Sequence, residues 1–499
     1  MPEKPDRLFA VVLIILICFA ITACDFGPDG PPPLTYDEAV KKVVFTDDVA
    51  TVDFTNLNNH DIYLVMINSS DLVVPAAGTG GAAQALLAAF SGTKSGPALT
   101  ADIVPYNAGD QRNFWVERNI GENAWVNRQA TLMASGDHGN IWVMDENIPS
   151  GTSEYIISIE QAEEMARRFD QIYPLATNLL GYEYGGGPDG DGGIDGDKKI
   201  QILILDFYEP DYVFRGISYT GFFFSKDFYS QAEVDRLGWG SKTNLAEMFY
   251  INARSLIDSP DFIYSTLIHE FQHMINYTRK HMEYDLDADT WYNEMLSMMA
   301  EDVIAPLIGI GRTNPGHPTS RRIPGFLDSY YMYDMTEWND STNNYANAYA
   351  FGAYLLRNHG GPELLKRILD NDKVNVESIA LALEELSEGM DIAQAFSRYG
   401  EALIFSGPLK PEGAATFDKT VASTVNGQVY TAYGFDIWQM NRRDTGGLGP
   451  LVFGLESASM SPHSVVIRSS GQWRGKTGDF SITLEKPSDP NVILYLMAR

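Results

Sequence analysis

His269 and His273, four residues apart in Thr266-Leu-Ile-His-Glu-Phe-Gln-His-Met-Ile-Asn-Tyr277, constrain this chain more than anything else in it. On a helix such a pair lies on one face, one ring above the other. Two imidazoles placed this way can grip one metal ion, and the Glu270 carboxylate beside the first can reach a water on that ion. The fold must therefore supply a helix here and leave one side of it facing a cleft. The flanking residues agree: Tyr264, Leu267, Ile268, Phe271 and Ile275 form an apolar stripe at helical spacing. The two His fall opposite that stripe, where an ordinary surface helix would carry Lys and Glu.

A site of this kind needs a third protein ligand and leaves a fourth position to water. Both Cys of the chain, Cys18 and Cys24, lie in its first 24 residues, so the ligand must be His, Asp or Glu. Downstream, Thr290-Trp-Tyr-Asn-Glu-Met-Leu-Ser-Met-Met-Ala-Glu-Asp-Val303 repeats the helical pattern, with Tyr292, Leu296, Met299 and Val303 as its apolar stripe. Glu294, Ser297 and Glu301 share the other face. Two adjacent helices could thus present His269, His273 and Glu294 to one cleft, with Glu301 behind as an acceptor for a ligand imidazole; a solvated acidic face is the plain alternative for either Glu.

His-Glu-Phe-Gln-His, followed after twenty residues by Trp-Tyr-Asn-Glu294-Met-Leu-Ser, resembles the gluzincin metallopeptidases, the thermolysin-like class. More narrowly, Met274-Ile-Asn-Tyr277, Ser297-Met-Met-Ala-Glu-Asp302 and Tyr345-Ala-Asn-Ala-Tyr-Ala-Phe351 resemble the hyicolysin-like bacterial secreted peptidases, over roughly residues 127–405. The resemblance implies a zincin-like catalytic domain, Zn2+ held by His269, His273 and Glu294, and Glu270 as the catalytic base. It also implies a His or Tyr from the following helical lobe at the oxyanion, for which Tyr345, Tyr349 and His359 are the candidates beside ordinary aromatic packing. Met298 stands four after Glu294, where thermolysin-type enzymes often carry an Asp, so that supporting role passes to Glu301 or elsewhere.

The remaining organisation is α+β. Lys4 and Arg7 precede an apolar run from Leu8 to Ala23, too short for a membrane span and right for a signal peptide. Ile21-Thr-Ala-Cys24 resembles a bacterial lipoprotein cleavage box, so residues 1–24 are expected as a signal peptide with Cys24 lipidated; a plain cleaved signal or an uncleaved anchor is the alternative. Residues 25–35 read as a Pro/Gly-rich tether. A mature chain of this kind has no cysteine, and its stability rests on packing and bound metal. Strand-like runs Val49–Phe54, Ile62–Ile67 and Phe114–Glu117 suggest an N-terminal β domain over 36–125, interrupted by an Ala/Gly/Ser-rich stretch, Ala76–Thr100.

The catalytic domain is expected over 126–407. It opens with strands at Ala130–Met133 and Asn140–Met144, then a helix from about Ile159 to Leu179 and a buried strand, Lys199–Asp206. Between the last two, Asp189, Asp191, Asp195 and Asp197 alternate with glycines, a pattern open to Ca2+ but equally to a plain acidic turn; it fails the EF-hand spacing. The aromatic- and Gly-rich residues 207–246, with Gly221-Phe-Phe-Phe224, suggest strands and a loop near the cleft. Glu247–Asn252 reads as the strand before the motif helix, and the resemblance implies an edge strand that pairs with substrate. Helical periods follow at Tyr345–Asn358, Pro362–Leu369, Val376–Leu386 and Ile392–Ile404. Strand-like runs return over 408–499, including Val452–Gly454 and Val492–Leu496, as a C-terminal β domain. His60, His138, His281, His317 and His463 lack companion motifs and read as surface residues.

A formal charge of −30 over 499 residues excludes nucleic acid and anionic lipid as partners of the folded body. The expected protein is a zinc endopeptidase acting on protein or peptide substrates, anchored at the bacterial cell envelope through Cys24, or secreted. The alternative is a binding lipoprotein with a vestigial peptidase centre; the intact Glu270 argues against it.

Overall fold

The computed structural model describes residues 34–69, 106–208, 219–339, 341–386, 389–455 and 460–499. Residues 1–24 with Cys18 and Cys24, expected as a signal peptide, nearly all of the expected tether over 25–35, and the Ala76–Thr100 stretch lie outside the described residues.

The chain opens with strands β1 (Val40–Lys42), β2 (Val49–His60) and β3 (Ile62–Asn68). Six further strands build the central sheet: β4 (Gln111–Glu117), β5 (Trp125–Ser135), β6 (Gly139–Met144), β7 (Ile200–Leu205), β8 (Gly221–Phe223) and β9 (Met248–Asn252), in spatial order β4-β5-β6-β7-β9-β8. β6, β7 and β9 run parallel, and β4, β5 and β8 are antiparallel to their neighbours. β7, Ile-Gln-Ile-Leu-Ile-Leu, is buried along its whole length, as expected of a β-branched run covered on both faces. Alternation sends Ile141, Val143, Ile202, Ile204, Phe249 and Ile251 to the helical side. Trp142, Met144, Leu203, Leu205, Met248 and Tyr250 form a second cluster on the other face.

Helices cover the first face. α1 (Ile159–Leu180) starts at a Ser158/Gln161 capping box and stops at Gly181, whose φ of 95° a side chain would strain. α2 (Pro260–Asn276) carries the motif, and its stripe of Tyr264, Leu267, Ile268, Phe271 and Ile275 is buried. Phe169 of α1 meets Phe271 edge-on at 5.4 Å and Phe249 of β9 at 5.8 Å, locking α1, α2 and the sheet together. α3 (Thr290–Ile304) packs on α2, α4 (Pro318–Ser329) and α5 (Thr342–Asn358) follow, and helices Pro362–Asp370, Asn375–Leu386 and Ile392–Ile404 complete the lobe.

After this lobe come the hairpin β10 (Val421–Val425) and β11 (Gln428–Ala432), then β12 (Ser464–Arg468), β13 (Lys476–Glu485) and β14 (Val492–Ala498). The two terminal stretches, expected as separate β modules, pair with each other: one sheet runs β1-β14-β3-β12, and β13 pairs with β2. Their apolar residues, among them Phe54, Val65, Ile67 and Leu494, join the core of the helical lobe. The expected division at 125/126 falls inside the β4–β5 pair, where Glu117 faces Trp125. Local strand patterns carry no information about such distant partners, which is why the sequence suggested two modules. Val452–Gly454 contributes only an isolated bridge, Phe453 with Arg468.

A further correction concerns the cleft. β9, expected as the edge strand, lies between β7 and β8, and the edge belongs to β8. Gly221 lets β8 approach α2 closely: a Cβ there would sit 2.8 Å from Thr266 Cγ2 and 3.0 Å from the Tyr250 carbonyl oxygen.

Candidate metal centre

α2 and α3 lie side by side with their polar faces turned to one cleft of about 320 Å3, lined by His269, Glu270, His273 and Glu294 together with Phe223 of β8 and Tyr345 of α5. Donor atoms of His269, His273 and Glu294 all lie within 4.8 Å of one another, the only such group of three among the described residues. Glu294 bridges the two rings: its carboxylate is 2.9 Å from His269 Nε2 and 3.5 Å from His273 Nε2.

The opposite edge of each ring is held as well. His269 Nδ1 faces Glu301 Oε1 at 2.8 Å, and His273 Nδ1 faces Ser297 Oγ at 3.1 Å. An ionised carboxylate only accepts, and the Ser297 hydroxyl already donates to Gln272 Oε1, so both Nδ1 atoms are the donors. Both Nε2 atoms are thereby turned toward Glu294. Two imidazole nitrogens and one carboxylate, each ring oriented from behind, fit a zinc-type metal by donor chemistry and by the supporting bonds. Glu301 is 1% exposed, so it is no solvated face. It also accepts from Ser265 Oγ at 2.6 Å and pairs with Arg321, whose guanidinium lies 4.1 Å over the Phe262 ring.

The charges are tightly linked. Burial opposes charge on His269, but Glu294 and Glu301 outweigh it and push the imidazole up to about 10. Burial works against ionised Glu294 as well, yet His273 and His269 hold it well below the usual carboxylate range; Arg321 and His269 likewise bring Glu301 down to about 2. A divalent cation entering this centre displaces the proton that His269 Nε2 shares with Glu294, so its affinity falls as pH drops. Glu270 projects into the cleft beside them. Burial raises its pKa, against the pull of His269, His273 and the Phe223 backbone of β8.

Of the three oxyanion candidates only Tyr345 reaches the cleft. Tyr349 is fully buried against Thr319 Oγ1 at 2.6 Å and Asp302 Oδ2 at 3.0 Å, and His359 lies behind Tyr354. Asp302 also takes Arg357 through two bonds of 2.7 and 3.1 Å, tying α3 to α5. His281 is not a surface residue. It sits in the cleft wall, bonded to Asp287 at 3.0 Å and stacked on Tyr277, because a π-helical turn, Tyr277–Met282, continues α2. His317 is buried too, receiving Thr319 N at its Nδ1. Ser265 was within reach of the sequence, four residues before His269 on the same face, whereas Arg321 arrives from α4 with no local signal.

Asp189, Asp191, Asp195 and Asp197 do not converge. Asp189 and Asp191 are exposed, and Asp197 is occupied by Asn140 Nδ2 at 2.8 Å and Gln201 Nε2 at 3.3 Å.

Comparison with known proteins agrees with this geometry. The neutral metalloprotease ShpI of Staphylococcus hyicus is 26% identical over 312 residues, a match covering 59% of this chain and 62% of that protein. The chain thus spans less than two thirds of that relative's length. The peptidase M30 profile matches residues 119–417, which takes in the whole central sheet from β5 onward, the motif helices and the helical lobe. On that match, over more than half its length, the chain belongs to the peptidase M30 family.

Proposed function

We propose that this protein is a zinc endopeptidase with a gluzincin-type centre, in which His269, His273 and Glu294 hold the metal and Glu270 is the catalytic base. The observation that carries this reading is the convergence of three ligand atoms within 4.8 Å beside a buried Glu in one open cleft. Bound zinc would polarise the scissile carbonyl and bring the pKa of water toward about 7. Glu270 takes the proton of the attacking water and delivers it to the leaving amine nitrogen. Its burial suits the task, since a raised pKa makes the carboxylate a stronger base near neutral pH. β8 offers a strand edge along the cleft for an extended peptide. Trp125, Phe222, Phe224, Ile120 and Val116 also line the cleft, so the favoured substrates carry bulky apolar side chains near the cut. Tyr345 is assigned to the oxyanion.

Casein cleavage should vanish on treatment with 1,10-phenanthroline and return on adding one equivalent of zinc. Cleavage that persists in the metal-free protein removes the reading, and zinc binding without any cleavage favours a binding protein.

We also propose that the chain is lipid-anchored at the cell envelope, on the strength of Ile21-Thr-Ala-Cys24 ahead of the Pro/Gly-rich tether. The acidic body is repelled by anionic head groups, so acyl chains alone must hold it, and stable anchoring takes at least two. Cys24→Ser should release the protein from the membrane fraction or leave it unprocessed. Labelled palmitate that fails to enter the wild-type chain in a lipoprotein-processing bacterium sinks the idea.

A further inference from the structure

α4 carries two adjacent arginines with different surroundings. Arg321 pairs with Glu301, behind His269. Arg322 has no hydrogen bond and no ion pair among the described residues, and its Nε is shut off from solvent without an acceptor. What it meets instead is an aromatic face: its guanidinium carbon lies 4.7 Å from the centroid of the Tyr345 ring. Trp338 meets the same ring edge-on, with 4.8 Å between centroids. The backbone below is fixed as well. Tyr345 stands in the first turn of α5, where Ser341 and Asn344 form a capping box, and Asn344 Nδ2 donates to the Glu337 carbonyl oxygen at 2.9 Å. The ring so held is the one that lines the metal cleft.

A guanidinium taken largely out of water without an anion is costly to keep. Arg321 and Arg357, placed among the same helices, each have a carboxylate, whereas Arg322 keeps its positive charge unmatched. Burial and the neighbouring Arg321 bring its pKa down to about 10, so it is still charged at neutral pH. A cation over the face of a phenol favours negative charge gathering toward the phenol oxygen, and the hydroxyl becomes a stronger hydrogen-bond donor. Such a donor is worth most where negative charge appears only in the transition state, inside a cleft that water has left.

We propose that Arg322 is a positioning residue for peptide hydrolysis: with Trp338 it fixes the Tyr345 ring, and its charge polarises the Tyr345 hydroxyl toward the oxygen that becomes anionic when water adds to the scissile carbonyl and the C=O π pair moves onto oxygen. This rests on the assignment of Tyr345 to the oxyanion. Arg322 touches the ring and acts through it. The bound substrate carries no such negative charge before attack, so Arg322 acts on kcat and leaves KM nearly unchanged.

The test compares Arg322→Met, Arg322→Lys, Tyr345→Phe and the double variant Arg322→Met/Tyr345→Phe, all zinc-loaded, on a fluorogenic peptide with bulky apolar residues. Tyr345→Phe removes the donor and should lower kcat about 10²- to 10³-fold. Arg322→Met keeps an unbranched chain and should lower kcat about tenfold, with KM, zinc content and Tm near wild type. Arg322→Lys, which keeps the charge, should fall between Arg322→Met and wild type. In the Tyr345→Phe background the same Arg322→Met change should cost less than about twofold. A phosphonamidate peptide, which carries a tetrahedral anion, should bind Arg322→Met more weakly by the same factor as kcat falls. Wild-type kcat in Arg322→Met overturns the inference, as does a tenfold loss that persists without the Tyr345 hydroxyl. An equal loss in the Met and Lys variants with a lowered Tm means packing alone and overturns it too. Wild-type kcat in Tyr345→Phe removes the oxyanion assignment, and this inference with it, while the zinc peptidase reading stands.

Discussion

Glu270→Gln should lower peptide hydrolysis by at least about 10²- to 10⁴-fold, the usual contribution of a positioned general base, while zinc remains near one per chain. The substitution is nearly isosteric, and Glu270 is not one of the three groups whose donor atoms converge. An amide can neither take the proton of the attacking water nor return it to the leaving amine. The buried position makes the change mild for folding, since it removes a carboxylate whose ionisation burial already disfavours. Metal analysis beside an activity assay reads both halves of the expectation. Full activity in the purified variant contradicts the role, and loss of zinc would show that Glu270 acts through the metal ligands instead.

The parts of this molecule that announce themselves in the sequence are those whose partners lie one helical turn away. The stripe from Tyr264 to Ile275 and the Tyr292–Val303 stripe fixed which sides of the two helices face inward, and so which sides carry His269, His273, Glu294 and Glu301. β7 was legible because a strand covered on both faces needs a continuous apolar run. What stayed hidden depends on distant pairing. Nothing local says that Ile67 will oppose Ile493, or that the three residues Gly221–Phe223 will cover β9 and take the edge. The same limit applies at the centre. Glu301 could be placed on the correct face by counting, but its burial depends on Arg321, which reaches it from another helix. His281 looked isolated because the π-helical turn that brings it against Tyr277 breaks the 3.6-residue count.

The two glutamates of α3 should separate in a way that distinguishes ligand from support. Glu301 touches only the rear of His269, through Nδ1, and its remaining bonds to Ser265 and Arg321 anchor it in the core. Glu301→Gln keeps an oxygen that can accept the Nδ1 proton but removes the charge that strengthens the ring as a donor. Zinc affinity should fall by about 10- to 100-fold, with activity restored at higher zinc. Gln is preferable to Ala here, because it keeps the side-chain volume and an acceptor oxygen in the buried site, whereas truncation would also leave a cavity beside Arg321. Glu294 instead lies between the two Nε2 atoms, 2.9 and 3.5 Å away, on the side where a metal must sit. Glu294→Ala deletes a donor outright and should cost more zinc affinity than Glu301→Gln, with activity not recovered at any zinc concentration that leaves the wild type uninhibited. Competition against a zinc chelator of known affinity gives the ordering directly. If Glu294→Ala retains tightly bound zinc and wild-type activity, the third ligand is another residue, and the pairing of α2 with α3 serves packing alone.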